Sequence, residues 1–220
     1  MVSEFTGRQV NQNRASLMTV FDSPSQAIAC AKSIQHELKA LKKNKVEIRM
    51  GINSGEPITE HNGLFEDAIQ LTGWLCDIAA DGQISISTQV MERTKGMFSK
   101  IQDKKNVFKV VSPVDERFLN IFMRAIQPAL CNEVITIESL SKAIGVSRAQ
   151  LYRKITSLTG HSPNNFIHEL KLKKSLRLVL QKYGNIAEIA FASGFNNPSY
   201  FTKSFQKRFR SLPAQVLRSI

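Results

Sequence analysis

The sequence predicts a two-part fold: an α+β domain followed by an all-α domain of two helix-turn-helix units joined by a linker helix. Three observations predict it. Strand-like and helix-like segments alternate as far as Val111, and strand-like alternation then stops. A short helix, a glycine and a second helix recur in the second half, around Gly145 and again around Gly194. Positive charge is concentrated in that same half. Residues 1–115 hold 14 Lys/Arg against 13 Asp/Glu, and residues 116–220 hold 16 against 5, so +11 of the formal net charge of +12 lies beyond residue 115.

Residues 1–14 are polar without an apolar period and predict a frayed or disordered end. Residues 15–111 predict the α+β domain. A strand over 17–21 leads to a helix capped by Asp22 or Ser23, with Pro24 in its first turn, running to about residue 41. A strand over 46–53 follows, then a loop over 55–63 and a helix over 67–79. The Asp81-Gly82 turn introduces a strand over 83–87, a short helix over 89–97 and a strand over 107–111. Ser112-Pro113 marks a linker over 112–115, and 116–220 form the helical domain. Its helices are expected over 116–130, 137–144, 148–158, 163–181, 186–193, 198–209 and 213–219.

Composition excludes several classes of function. Cys30, Cys76 and Cys131 are far apart and lack CxxC spacing, so they predict reduced thiols and neither disulfides nor a zinc site. His36, His61, His161 and His168 are scattered without metal-ligand spacing, so no metal and no cofactor are expected. No apolar run reaches the roughly 18 residues of a membrane span, and no secretory signal opens the chain. The expectation is a cytoplasmic protein with no membrane anchor. The basic half suits a phosphate-rich partner, since each cation that meets a phosphate releases condensed counterions. An anionic lipid surface or a merely solvated basic face would look the same on charge alone.

In the first helix-turn-helix unit, Leu140 and Ala143 face inward, Gly145 permits the turn, and Ser147 caps the next helix. Leu151, Ile155 and Leu158 form its buried stripe, which leaves Arg148, Ala149, Gln150, Tyr152 and Arg153 outward. In the second unit Ile186, Ile189 and Ala190 face inward, Gly194 makes the turn, Asn197 caps, and Pro198 takes the first helical position. Phe201 and Phe205 form the stripe; Ser199, Thr202 and Lys203 are left outward. An α-helix fits the major groove, so outward residues at its start are those able to reach base edges. Tyr152 has the alternative of packing on a neighbouring helix, and Arg153 that of a surface salt bridge. The intervening helix carries Lys171, Lys173, Lys174 and Arg177, which could meet phosphates or simply face solvent.

The stretch 116–220 resembles the AraC-type DNA-binding domain, most densely in IAEIAFASGFNNPSYFTKSFQKRF, residues 186–209. The matching features are Ile186, Ala190, Gly194-Phe195, Ser199-Tyr200-Phe201, Phe205, Phe209 and Pro213, with Ser147, Leu151, Arg153 and Gly160 in the first unit. This resemblance implies a bacterial transcriptional regulator that binds double-stranded promoter DNA through two recognition helices. It carries DNA contacts onto Arg148, Ala149, Tyr152 and Arg153, and onto Pro198, Ser199, Thr202 and Lys203. Two departures stand out. Arg210 occupies the usual place of a glycine, and Lys171 that of a linker-helix arginine.

Residues 17–90 resemble the catalytic domain of class III nucleotide cyclases through LMTVFDSPSQAIACAKSIQ, IRMGINSGEP and LCDIAADGQISIS. The resemblance implies a ferredoxin-like sheet, here incomplete because the strand expected to supply the first metal aspartate lies before the chain begins. Ala15, within Arg14-Ala15-Ser16, falls on the second, and Gln70 and Trp74 replace the Asn and Arg that hold ribose and phosphate. No catalytic residue remains, so this half is expected to be a non-enzymatic sensory or dimerising module. A small-molecule effector or nucleotide and a second copy of the chain are its expected partners. The competing expectation is a nucleotide-binding sensor or a nucleotide cyclase with a helical regulatory domain. Trp74 reads either as a pocket wall or as core, and an incomplete sheet is also what a fragment of a longer chain would give.

Overall fold

A computed structural model describes residues 2–13, 16–40, 48–55, 64–98, 107–131 and 136–220. The chain divides into two compact units, one built from Met1–Asn11 and Leu17–Asn120, the other from Gln12–Ser16 and Ile121–Ile220.

The described chain opens with a 3-10 turn at Ser3–Phe5 and strands β1 (Arg8–Asn13) and β2 (Ser16–Val20), which pair in a two-stranded sheet. Strand β1 thus falls within the segment 1–14 whose polar side chains give no apolar period. Helix α1 (Pro24–Ala40) starts where Ser23 and Gln26 cap each other, with Ser23 Oγ accepting from Gln26 N at 3.3 Å and Gln26 Oε1 accepting from Ser23 N at 3.0 Å. Strands β3 (Met50–Ile52), β4 (Ile84–Ser87) and β5 (Phe108–Val111) form a parallel sheet in that order. Helix α2 (Leu64–Ile78) joins β3 to β4 as the crossover that parallel pairing requires. Helices α3 (Thr88–Arg93) and α4 (Lys95–Phe98) precede β5.

The sheet is covered on both faces. Ile52, Ile84 and Ile86 pack with Ile28 and Ala31 of α1 and Val90 of α3. On the opposite face Gly51 brings β3 so close to α2 that a Cβ there would collide with the Thr72 carbonyl and the Cys76 amide. Burial from both sides explains why Ile84, Ser85, Ile86 and Ser87 are all buried, alternation notwithstanding. The described strands do not assemble the ferredoxin-like sheet: β3 to β5 pair only in parallel and β1 to β2 form a separate sheet. Alternation predicts strands but says nothing about which edges meet.

Helix α5 (Pro113–Ile126) corrects the expected linker at 112–115. Pro113 begins the helix rather than breaking the chain, and Ser112 Oγ accepts the Asp115 amide at 3.2 Å. Beyond a 3-10 turn at Pro128–Cys131, the second unit contains α6 (Ile137–Ala143), α7 (Arg148–Thr159), α8 (Pro163–Leu180), α9 (Ile186–Ala192), α10 (Pro198–Phe209) and α11 (Pro213–Arg218). Leu172, Val179, Ile189, Ala190, Phe195, Phe201 and Phe205 make one buried cluster within it. Helix α8 is buried along two sides. Phe166 and Leu170 lie on one, Leu172 and Val179 on nearly the opposite one, and α8 packs on α7 as well as on α9, α10 and α11. It is therefore a core element as well as the link between the two helix-turn-helix units.

Candidate nucleic-acid interface

Both helix-turn-helix units form as the local chemistry dictates, except that Ala143, expected to face inward, is exposed at the end of α6. In the first, α6 ends at Gly145, whose φ of 70° is the left-handed conformation the turn demands. Ser147 and Gln150 then close a capping box: Ser147 Oγ accepts from Gln150 N at 3.1 Å, and Gln150 Oε1 accepts from Ser147 N at 2.9 Å. Leu151, Ile155 and Leu158 are buried beneath α7. In the second, Gly194 has φ 80°, and a Cβ there would strike the Leu130 carbonyl oxygen. Asn197 Oδ1 accepts from Tyr200 N at 2.9 Å, and Pro198 occupies the first helical position. The rings of Phe195, Phe201, Phe205 and Phe209 run under α10 with successive centroids 5.2, 5.6 and 4.6 Å apart.

The residues expected to face outward do so at the start of α7: Arg148, Ala149, Gln150, Tyr152 and Arg153 are all exposed. On α10, Ser199 and Lys203 are exposed, and Pro198 and Thr202 are half-buried. Their availability differs. Gln150 spends its amide oxygen on the capping box, which the Ser-x-x-Gln spacing encodes. Thr202 Oγ1 donates to the Pro198 carbonyl at 2.9 Å. Arg148 pairs with Glu138 at 2.7 Å across the two helices of the unit, a largely exposed contact worth at most about 1 kcal/mol. Arg153 and Lys203 form no ion pair among the described residues. Tyr152 stands 53% exposed and does not pack away.

Several neighbours escaped sequence reasoning. Tyr200, in the first turn of α10, is exposed, and its hydroxyl lies 3.4 Å from Nε2 of His168 on α8. Burial, with Lys171 and Lys207 nearby, holds the His168 imidazole below its ordinary pKa despite the opposing charge of Glu169. Lys171 does not point at solvent: Nζ donates to the Gly194 carbonyl at 2.6 Å, and its pKa is lowered by burial and by Lys174. Farther along α10, Arg208 Nε donates to Glu169 at 2.8 Å. Lys203, Gln206, Lys207 and Arg210 line one surface hollow.

A family profile described as a helix-turn-helix domain matches residues 140–219. The C-terminal half carries a helix-turn-helix domain. Gly194, Asn197 and Pro198, whose geometry is described above, lie within the matched residues. Among curated relatives, a protein named histidine kinase P4 from Formosa agariphila is 32% identical over 129 residues, covering 57% of this chain and 9% of that protein. An uncharacterised HTH-type transcriptional regulator in the cgkA 5′ region of Pseudoalteromonas carrageenovora is 33% identical over 85 residues, 39% of this chain and 50% of that protein. The chain thus spans half or less of the length of these relatives. Among solved structures, the C-terminal domain of AraT, a response regulator from Geobacillus stearothermophilus, is 27% identical with a TM-score of 0.44, covering 50% of this chain and 88% of that one.

Outside the helix-turn-helix domain, the positions that the cyclase resemblance singles out are as follows. Ala15 lies outside the described residues. Trp74 is only 3% exposed, which is the core alternative rather than an open pocket wall. Among the described residues, no group of three His, Cys, Asp or Glu could hold a metal ion. No described helix is long and apolar enough to cross a membrane. Cys30 and Cys76 are free thiols; the side chain of Cys131 lies outside those described.

Proposed function

We propose that the chain is a cytoplasmic transcriptional regulator that binds a specific duplex sequence through α7 and α10 in successive major grooves. The observation that carries this reading is the shared design of the two helices. Each is capped after a left-handed glycine turn, buries an aliphatic or aromatic stripe, and presents Arg148, Ala149, Tyr152 and Arg153, or Ser199 and Lys203, to solvent at its start. Arg153 is the strongest base- or phosphate-contacting residue, because a guanidinium can grip guanine or phosphate with two parallel hydrogen bonds. Pro198 and Thr202 contribute shape and backbone position. Gln150 secures the helix start and retains its amide nitrogen for a contact. The 18 residues of α8 span roughly 27 Å, comparable with the roughly 34 Å between successive major-groove faces.

The N-terminal half, in this reading, is a degenerate cyclase-like module that senses a small molecule or nucleotide, or pairs with a second copy. Supporting this, Gln70 and Trp74 provide no cation for a developing phosphate charge. Cyclic nucleotide formed from ATP or GTP with Mg²⁺ or Mn²⁺ would reverse this part of the reading.

Random-site selection followed by gel shift tests the DNA reading. The expected result is a preferred sequence with two half-sites about 10 to 10.5 base pairs apart. Uniform, salt-sensitive binding with no preferred sequence would defeat it.

A further inference from the structure

Helix α10 ends on Arg210, whose φ of 58° and ψ of 18° place a side-chain-bearing residue in the left-handed region. A glycine would adopt this helix-ending conformation without the steric cost to Cβ. Arginine brings a cation instead, and its position along the helix gives that cation company. Ser199, Lys203 and Gln206 recur at i, i+4 and i+7 on one line of α10, with Lys207 beside it, and Arg210 follows as the C-cap of the helix. That line begins at the end expected to enter the groove. Lys203, Gln206, Lys207 and Arg210 line a single hollow, and its three cations are exposed. None of the three is ion-paired among the described residues, whereas the adjacent Arg208 is held by Glu169. Three like charges around one open hollow repel one another, and an anion there relieves the repulsion.

We propose that Lys203, Lys207 and Arg210 form a clamp for the sugar-phosphate backbone along the recognition helix, independent of base sequence. The ligand is the row of phosphates on one duplex strand, which a guanidinium meets with paired hydrogen bonds and each ammonium as a point charge. This clamp rests on the DNA-binding reading and adds affinity to it without adding preference.

The test is the salt dependence of binding by the full chain to the selected duplex and to a duplex of arbitrary sequence, between about 50 and 200 mM salt. Removing one cation that neutralises a phosphate lowers the slope of log affinity against log salt by about 0.9. Arg210→Gly, and Arg210→Asn as a second residue tolerant of left-handed backbone, should lower it by about 0.9 on both duplexes. Adding Lys207→Ala should bring the fall to about 1.8. Lys182→Gly is the control: it also removes one cation from a left-handed position, φ 53°, but it lies outside α10. Its slope should match that of the unmodified protein. An unchanged slope in Arg210→Gly and Arg210→Asn, or an equal fall in Lys182→Gly, overturns the clamp while leaving DNA binding intact. Absence of binding to either duplex by the unmodified protein removes the DNA reading and the clamp with it.

Discussion

The ammonium of Lys171 donates a 2.6 Å hydrogen bond to the carbonyl oxygen of Gly194, tying the middle of α8 to the turn that starts the second recognition helix. The bond joins residues 23 apart in sequence. It turns a lysine that reads as a solvent-facing cation into a structural tie.

Lys171→Met removes this bond while keeping the aliphatic stem, and should lower the unfolding free energy by about 1 to 2 kcal/mol. Lys171→Arg should recover most of that stability, since the guanidinium retains donors of similar reach. Urea denaturation compares the three proteins; equal midpoints for Met and the native lysine would deny the bond any role in stability.

The two turn glycines should respond differently to alanine. Gly145 has a φ of 70°, and no described residue lies near the place a Cβ would take, so Gly145→Ala should cost about 1 to 2 kcal/mol. Gly194→Ala adds a collision with the Leu130 carbonyl and should cost about 3 kcal/mol or more. Thermal and urea unfolding of the pair checks the order.

His168 gives a pH dependence whose sign is fixed by the direction of its shift. Burial lowers its pKa in the folded state, so the unfolded chain takes up the proton first. The neutral ring leaves stability intact above the unfolded value of about 6.5, and stability falls as pH drops through it toward the folded value. The thermal midpoint should therefore fall more between about pH 7.5 and 5.5 in the native protein than in His168→Gln. Parallel curves for the two would mean that the imidazole does not titrate differently on folding.

Arg153→Ala should weaken binding to the selected duplex by about 1 to 3 kcal/mol and relax the preference at one base position. Competition between the selected duplex and single-base variants reads both effects. An unchanged preference with reduced affinity would reassign Arg153 to a phosphate.

Much of the helical half was legible because its signals are short-range. Gly145, Gly194, Ser147 and Asn197 announce turns and caps within four residues of the helices they serve, and Leu151, Ile155, Phe201 and Phe205 reveal buried faces by spacing alone. The double burial of α8 was not legible, because Lys171, Lys173 and Lys174 interrupt its apolar pattern while Leu172 and Val179 still enter the core. The same holds for Arg148 with Glu138 and for Lys171 with Gly194, which depend on how separate helices meet. Pro113 misled in another way: a proline ends one element and can equally open the next, and Ser112 decides for the second by capping α5. In the N-terminal half, Ile84 and Ile86 identify a strand, but the parallel partners Met50 and Phe108 emerge only from the packing of helices on both faces.

Because α8 is wedged between both helix-turn-helix units, the phase of α10 relative to α7 should be set before DNA arrives. Such a reader works like a ruler with two fixed teeth. One extra base pair between the half-sites turns the second through about 34° to 36° around the duplex axis. The protein or the duplex must then twist to engage both, so tolerance of spacer length becomes a property of α8 and not of the residues that touch bases.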